Sequence, residues 1–413
     1  MSASLRRGLM MNSSLLIRRT TTEGCKEPLT RKTESNRTLS SSIDASLPKI
    51  PDVTRVSPKI VRILGQNPGP FTLQGTNTYL IHGDRSSILI DTGEGLNDYS
   101  SLLESQLRKL EDRPIEDIIL THWHNDHAGG LESVLNSIFN LRKNLRLPRI
   151  WKFKLATDDG LIDDRDRKIV NSIENFKSRR SVEDFSLEWL IEGKEFELDD
   201  RLKVRTIRTP GHTQDSCCCL VLEKHQDTSY PSVDQNYTHQ PFRLSSILVG
   251  DTLLGGSTTI FEDLKTYLDT LKYLSSLIKQ SPPQPLLLSQ SPSSDVESKR
   301  DSDNGYLNKG TTVEFYPGHG EVIEDGKAEI QKIILHRIER ENQIVKLLSN
   351  TKILESDGSL SLDRIVLEIY GEKLIRSDER LRIAATRGIN QHLEKLRIEG
   401  IVIEVRPGHW KLL

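Results

Sequence analysis

The sequence predicts an α/β protein built as a four-layer αββα sandwich, two sheets face to face with helices outside, carrying a C-terminal winged-helix-like domain. Three observations lead there. Between about residues 58 and 320, short apolar runs bounded by Gly and Pro outnumber the helical patterns, and two packed sheets would bury that many strands. Several of those runs end in a lone His or Asp beside a glycine, which lines one open sheet edge with ligand-type side chains. Beyond residue 350 the pattern resets to helix, helix and two short strands turned at Pro407-Gly408, the order of a winged helix.

Taken in order, Met1 to Thr22 carries Arg6, Arg7, Arg18 and Arg19, many Ser and Thr, and no acid before Glu23, with Leu5, Leu9 and Leu16 placed to share a helical face. That is the composition of a mitochondrial transit segment. A matrix location is the expectation and a cytoplasmic protein with a disordered tail the alternative; residues 1–54 are set apart as a disordered extension. The main domain is expected over 55–350. Its strand candidates are Ile60 to Leu64, Asn77 to His82, Ser86 to Asp91, Ile118 to Leu120, Leu202 to Arg208, Ser216 to Leu222, Ser245 to Val249 and Val313 to Tyr316. Helical patterns fall at Tyr99 to Leu110, Leu131 to Phe139, Leu264 to Leu277 and Ala328 to Ser349, and no βαβ repeat is apparent. Two polar stretches, 226–243 and 281–310, read as disordered insertions. The tail domain, 351–413, holds helices at Leu362 to Ile369 and Glu379 to Leu396, then strands Ile401 to Val405 and His409 to Leu412.

Composition narrows the partners. The 57 basic and 59 acidic residues nearly cancel, so no global field draws the chain to nucleic acid, and any RNA contact must be a local patch. Of four cysteines, Cys217, Cys218 and Cys219 are consecutive in a strand and Cys25 lies in the polar tail, which builds neither a disulfide framework nor a CxxC metal site. No apolar run approaches the roughly 18 residues of a membrane span, and no membrane association is expected.

Thr121-His122-Trp123-His124-Asn125-Asp126-His127 is the densest chemical signal. It follows the apolar run ending at Leu120, and a strand that stops in a sharp turn aims alternate side chains at one point. His122 and His124 can then share one metal while Asp126 and His127 reach a second. Three further apolar runs end in a single potential ligand: Pro210-Gly211-His212, Gly250-Asp251 and Pro317-Gly318-His319. Together with Leu89-Ile90-Asp91-Thr92-Gly93, this set resembles the metallo-β-lactamase superfamily position by position. The resemblance implies that His122, His124 and His212 hold one metal, that Asp126, His127 and His319 hold the second, that Asp251 bridges them, and that Asp91 supports the metal loop. Histidine and carboxylate ligands with open positions favour zinc, two per chain. The antibiotic-hydrolysing branch lacks the bridging aspartate and uses a cysteine ligand, so Asp251 and His127 argue against a β-lactamase. The short stretch between Asp251 and His319 leaves no room for a β-CASP domain.

Asn67-Pro68-Gly69-Pro70-Phe71-Thr72-Leu73-Gln74-Gly75-Thr76-Asn77-Thr78-Tyr79, Phe261-Glu262-Asp263-Leu264 and His336-Arg337-Ile338-Glu339-Arg340-Glu341 are similar to segments of the beta-lactamase-like protein 2 family, mitochondrial endoribonucleases of single-stranded RNA. The likeness runs from about residue 58 to the end. Fungal thioesterases that release polyketides from a carrier protein carry the same motifs. The leading expectation is a zinc-dependent endoribonuclease in which two metals generate hydroxide near neutral pH, held by Asp126 and Asp251, for in-line attack at phosphorus. An acyl-thioester hydrolase with a small-molecule thioester substrate is the alternative, and a non-catalytic RNA-binding scaffold a third. For RNA, the tail offers Arg376, Arg380, Arg382, Arg387, Lys395, Arg397, Arg406 and Lys411, with Trp410 as a stacking candidate, and Phe71, Thr72 and Asn77 lie on a loop expected to rim the metals.

Overall fold

The computed structural model describes residues 47–109, 113–141, 146–157, 159–182, 186–224, 242–280, 312–372 and 379–413. All of these belong to one compact unit, 42–413. The transit-like segment, most of both insertions and Arg376 lie outside the described residues.

The first sheet has seven strands in sequence order: β1 (Val53–Ser57), β2 (Ile60–Leu64), β3 (Asn77–His82), β4 (Ser87–Ile90), β5 (Ile115–Ile119), β6 (Arg149–Lys152) and β7 (Leu187–Trp189). β1 to β4 form an antiparallel meander, whereas β4 to β7 are mutually parallel. Parallel neighbours need crossovers, supplied by α1 (Asn97–Lys109), by α2 (Asn125–Ala128) with α3 (Leu131–Leu141), and by α4 (Asp164–Arg180). The second sheet runs β12-β11-β10-β9-β8, from β8 (Glu195–Glu197), β9 (Leu202–Arg208), β10 (Cys217–Glu223), β11 (Arg243–Gly250) and β12 (Glu314–Pro317). β11 and β12 are parallel, joined across α5 (Leu264–Gln280). The expectation of no βαβ repeat is therefore wrong. It failed because β6, α4 and β7 are short or highly charged and gave no apolar pattern long enough to register.

The four layers follow from strand alternation. Along β10, Cys217, Cys219 and Val221 enter the core between the sheets, while Cys218, Leu220 and Leu222 enter the core under α5. Along β4, Ile88 and Ile90 face the inter-sheet core and Leu89 faces the helices. Alternate residues point to opposite faces, so a strand covered on both sides reads as continuously apolar. Each fully buried Ile, Leu or Val contributes roughly 1.5–3 kcal/mol.

α6 (Gly326–Leu348) leaves the sandwich, its Ile330 in the α5 core and its Ile344 and Leu348 in the core of the tail. There it meets α7 (Leu362–Tyr370), α8 (Glu379–Ile398) and a small sheet of β13 (Leu360–Ser361), β15 (His409–Leu412) and β14 (Val402–Arg406). Two expected boundaries move. Val53 and Thr54 belong to β1, since they pair with Ile63 and Arg62, so the extension ends before residue 53. Phe242 packs on the α5 core and Arg243 pairs with Glu223 at the start of β11, so neither belongs to the insertion assigned to 226–243. Among the described residues no helix is long and apolar enough to cross a membrane.

Candidate metal centre

Strand direction gathers the site. β4 and β5 are parallel neighbours, so Asp91 and the Thr121–His127 turn leave the sheet side by side. β11 and β12 are likewise parallel, and Gly250 pairs with Pro317, so Asp251 and His319 emerge together. β9 is antiparallel to β10, and β10 to β11, so β9 also ends at this edge and delivers His212 there. Gly318 is required by closeness: a Cβ on it would stand 2.3 Å from Asp251 Oδ1 and 2.8 Å from His127 Cε1.

Two groups of potential ligands result, His122, His124, His212 and Asp251 in one and Asp126, His127 and His319 in the other, the ligand atoms of each within 4.8 Å of one another. In the first, His124 Nδ1 lies 2.9 Å from His122 Nε2 and 3.0 Å from His212 Nε2, and Asp251 Oδ2 is 3.6 Å from His212 Nε2. In the second, His319 Nε2 is 3.2 Å from His127 Nε2, 3.1 Å from Asp126 Oδ2 and 3.4 Å from Asp251 Oδ2. Asp251 Oδ1 also reaches His127 Nε2 at 3.4 Å. Asp251 thus touches both groups.

These separations fit a cation better than they fit hydrogen bonds. Nitrogens held about 2.0–2.1 Å from a tetrahedral zinc stand roughly 3.3 Å from each other. Imidazole nitrogens facing one another with no donor between them otherwise repel. Asp251 Oδ1 is buried without a hydrogen-bond partner, as an unmatched ligand atom would be.

Neighbours fix the ring orientations. Asp91, with φ +62°, accepts from the Thr121 backbone N–H and from Thr121 Oγ1, both at 2.8 Å, and lies 2.7 Å from His127 Nδ1, which turns Nε2 toward the site. An aspartate tolerates this left-handed conformation because its own bonds over-determine it. His212 Nδ1 donates to the Ile260 carbonyl at 2.5 Å, and Thr76 Oγ1 donates to Asp126 Oδ2 at 3.2 Å.

The electrostatics divide the cup. Burial, with His212 and His127 nearby, lowers His124 to about 4, and burial likewise holds His122 well below its ordinary value. Burial opposes a proton on His127 and His319 too, but there Asp126 and Asp251 overrule it, raising His319 to about 9 and His127 well above the usual range. In return the histidines hold both carboxyls well below theirs against the pull of burial.

With this geometry in place, comparison with known proteins is decisive. Residues 71–225 match the metallo-beta-lactamase superfamily model and 361–410 the beta-lactamase associated winged helix domain. A beta-lactamase-like protein 2 homolog of Drosophila melanogaster is 31% identical over 85% of this chain and 92% of its own length. The chain belongs to the metallo-beta-lactamase superfamily. A beta-lactamase-like protein 2 homolog of Caenorhabditis elegans is 30% identical over 86% of the chain and 90% of its own length, and an atrochrysone carboxyl ACP thioesterase of Passalora fulva is 29% identical over 89% and 84%. A beta-lactamase domain protein of Burkholderia ambifaria shares the fold at TM-score 0.55 and 16% identity, over 89% of this chain and 96% of that one.

In this member of the metallo-beta-lactamase superfamily all seven residues expected as ligands meet at the same end of the two sheets, with Asp91 behind them. Sequence reasoning missed Thr76, Thr121 and the Ile260 carbonyl; Thr76 and Thr121 adjoin ligand motifs, but nothing local marks Ile260. Asn77 is no substrate contact. It is 1% exposed and donates to the carbonyls of Pro317 and Gly320, both at 2.9 Å. Trp410 is 1% exposed within the tail core and offers no face for stacking. The tail cations are mostly spent inside the tail: Arg382 on Glu379, Arg397 on Glu394, Lys395 on Glu341 and Glu399, Arg406 on Glu355 and Asp357.

Proposed function

We propose that the chain is a zinc-dependent hydrolase with two metals per molecule, acting as an endoribonuclease on single-stranded RNA. The observation that carries the hydrolase reading is the convergence of His122, His124, Asp126, His127, His212, Asp251 and His319 into two adjoining groups that share Asp251. His122, His124 and His212, with Asp251, would hold one ion, and Asp126, His127, His319 and Asp251 the other. When bound, such a pair supplies a water acidic enough to attack near neutral pH and offsets the charge that builds on the attacked centre. Asp126 and Asp251 are the catalytic carboxylates: their Oδ2 atoms turn into the cup beside His319 Nε2, where they would orient that water. Asp91 and the Ile260 carbonyl keep the imidazole nitrogens facing inward.

RNA as substrate is supported by the motif likeness to the endoribonuclease family and by two guanidiniums, Arg337 and Arg387, that form no ion pair among the described residues. The basic N-terminal composition supports a mitochondrial matrix location. A thioester substrate is the second reading, favoured by relatives named as ACP thioesterases. Purified protein incubated with labelled single-stranded RNA and with an acyl-thioester, each with and without chelator, separates the two. Chelator-sensitive RNA cleavage is expected; thioester turnover without RNA cleavage overturns the nuclease, and neither activity overturns the hydrolase.

A further inference from the structure

The seam between sandwich and winged helix holds a cavity of ≈ 530 Å³, with walls that include Phe71, Ile260, Arg337, Ile383, Arg387 and Gln391. Its volume is that of an ordinary small-ligand site. Two of its walls also build the metal cup. Ile260 lines the cavity with its side chain, 49% exposed, while its carbonyl holds His212, and neighbouring Thr259 donates to the Asp251 carbonyl at 3.0 Å. Phe71, 75% exposed at the cavity, opens the loop whose far end places Thr76 against Asp126. Gln391 of α8 donates to the Glu262 carbonyl at 3.0 Å, which pins the winged helix to the same 258–262 segment. The cavity therefore shares its Phe71 and 258–262 walls with segments that build the cup.

The charge on the walls is unusual for this chain. Arg337 stacks over Phe261 at 5.0 Å and its buried Nε has no acceptor; burial draws its guanidinium below the ordinary value and no carboxylate offsets the loss. Arg387 is exposed on the wall and forms no ion pair among the described residues. Arg364, Arg382, Arg397 and Arg406 of the tail are each matched to an acid. Apolar walls with two unmatched guanidiniums suit a group that is flat and apolar on one side and anionic on the other. An acyl chain would use the walls and leave the cations without a counter-charge.

We propose that the seam cavity is a nucleotide subsite for single-stranded RNA, seating one base against Phe71, Ile260 and Ile383 and its phosphate on Arg337 and Arg387. The assignment rests on the endoribonuclease reading. It is tested by fluorescence anisotropy of a labelled, hydrolysis-resistant phosphorothioate RNA on the zinc-loaded full-length protein, alongside cleavage of ordinary RNA. Phe71→Ala should weaken binding roughly 5- to 150-fold, the range of one lost base stack. Arg387→Gln should weaken it about tenfold and reduce the slope of log K against log salt by about 0.7, one phosphate contact. Arg397→Gln should change nothing. Binding lost in the first two variants supports the subsite whether or not cleavage is seen. Wild-type-like binding by both, with RNA cleavage intact in the parent, overturns the subsite and leaves the nuclease standing. Thioester turnover with a KM raised by Phe71→Ala, and no RNA binding, overturns both and gives the cavity to an acyl group.

Discussion

Two buried charge clusters stand a few residues apart in this fold, and they are built on opposite plans. Around Lys152, fully buried at the end of β6, Asp166 of α4 approaches at 2.6 Å and Asp215 at 2.5 Å, with the Phe153 carbonyl accepting at 3.0 Å. Three residues before Asp215, His212 enters the other cluster, where Asp126 and Asp251 meet imidazoles that also crowd each other and, for Asp126, the Thr76 hydroxyl. In the first cluster the chain supplies its own cation. In the second it supplies no lysine or arginine, only imidazoles that must give up their protons to ligate, and leaves the cation to be bound, which is the mark of a site arranged for chemistry at a cost in stability.

The comparison can be broken most severely at the cup. His122→Ala and Asp126→Asn should each lower hydrolytic turnover about 10²–10⁴-fold, while the thermal melt of metal-free His122→Ala stays as high as wild type because it removes an imidazole crowded by His124, His127 and His212; a lower melt in that variant would mean that the cup is a structural cluster like the other. At Lys152 the expectation inverts. Lys152→Met strands two buried carboxylates and should cost about 3–5 kcal/mol in urea unfolding, with loss of His212 placement following from unfolding; a neutral result would show that the ammonium does not hold Asp166 and Asp215.

Asp91→Asn is milder. It removes the charge behind His127 and should weaken zinc binding about 10- to 100-fold, read by competition with a chromophoric chelator, and unchanged affinity would reduce Asp91 to a turn residue. The smallest effect concerns the tail. Burial of Glu341 favours its proton, but His392 and Lys395 more than reverse this and hold the folded carboxyl below the ordinary 4.5. A depressed carboxyl contributes stability above about pH 4.5 that is lost as pH falls through its folded value. Glu341→Gln should therefore flatten the acid limb of the melting temperature between pH 5 and 3 by a small margin, and an unaltered limb would show the pair to be idle.

How much of this was legible in the sequence depended on whether the signal was local. Elements such as β3, β9 and α6 announced themselves through apolar runs or helical periodicity, and the seven ligand positions through His and Asp at the ends of such runs. α4 was not read because Asp164, Arg165, Asp166, Arg167 and Lys168 mask the Ile169, Ile173 and Phe176 face that it buries. β6 was not read because it is four residues long and ends in Lys152, a residue that is buried only because Asp166 and Asp215 arrive from elsewhere. The tail's RNA candidates misled for the matching reason: basic residues show in the sequence, and the acids that neutralise them across a turn or between helices do not.

The sequence by itself determined the strand and helix content of the main elements, the family motifs and the ligand chemistry, because hydrophobic alternation and residue type are properties of short segments. Only the tertiary structure decided that Thr76 meets Asp126, that the Ile260 carbonyl turns His212, and that Arg337 and Arg387 find no acid among the described residues at the seam. Each of these depends on groups far apart in the chain meeting where parallel strands end, and no local pattern encodes such a distance.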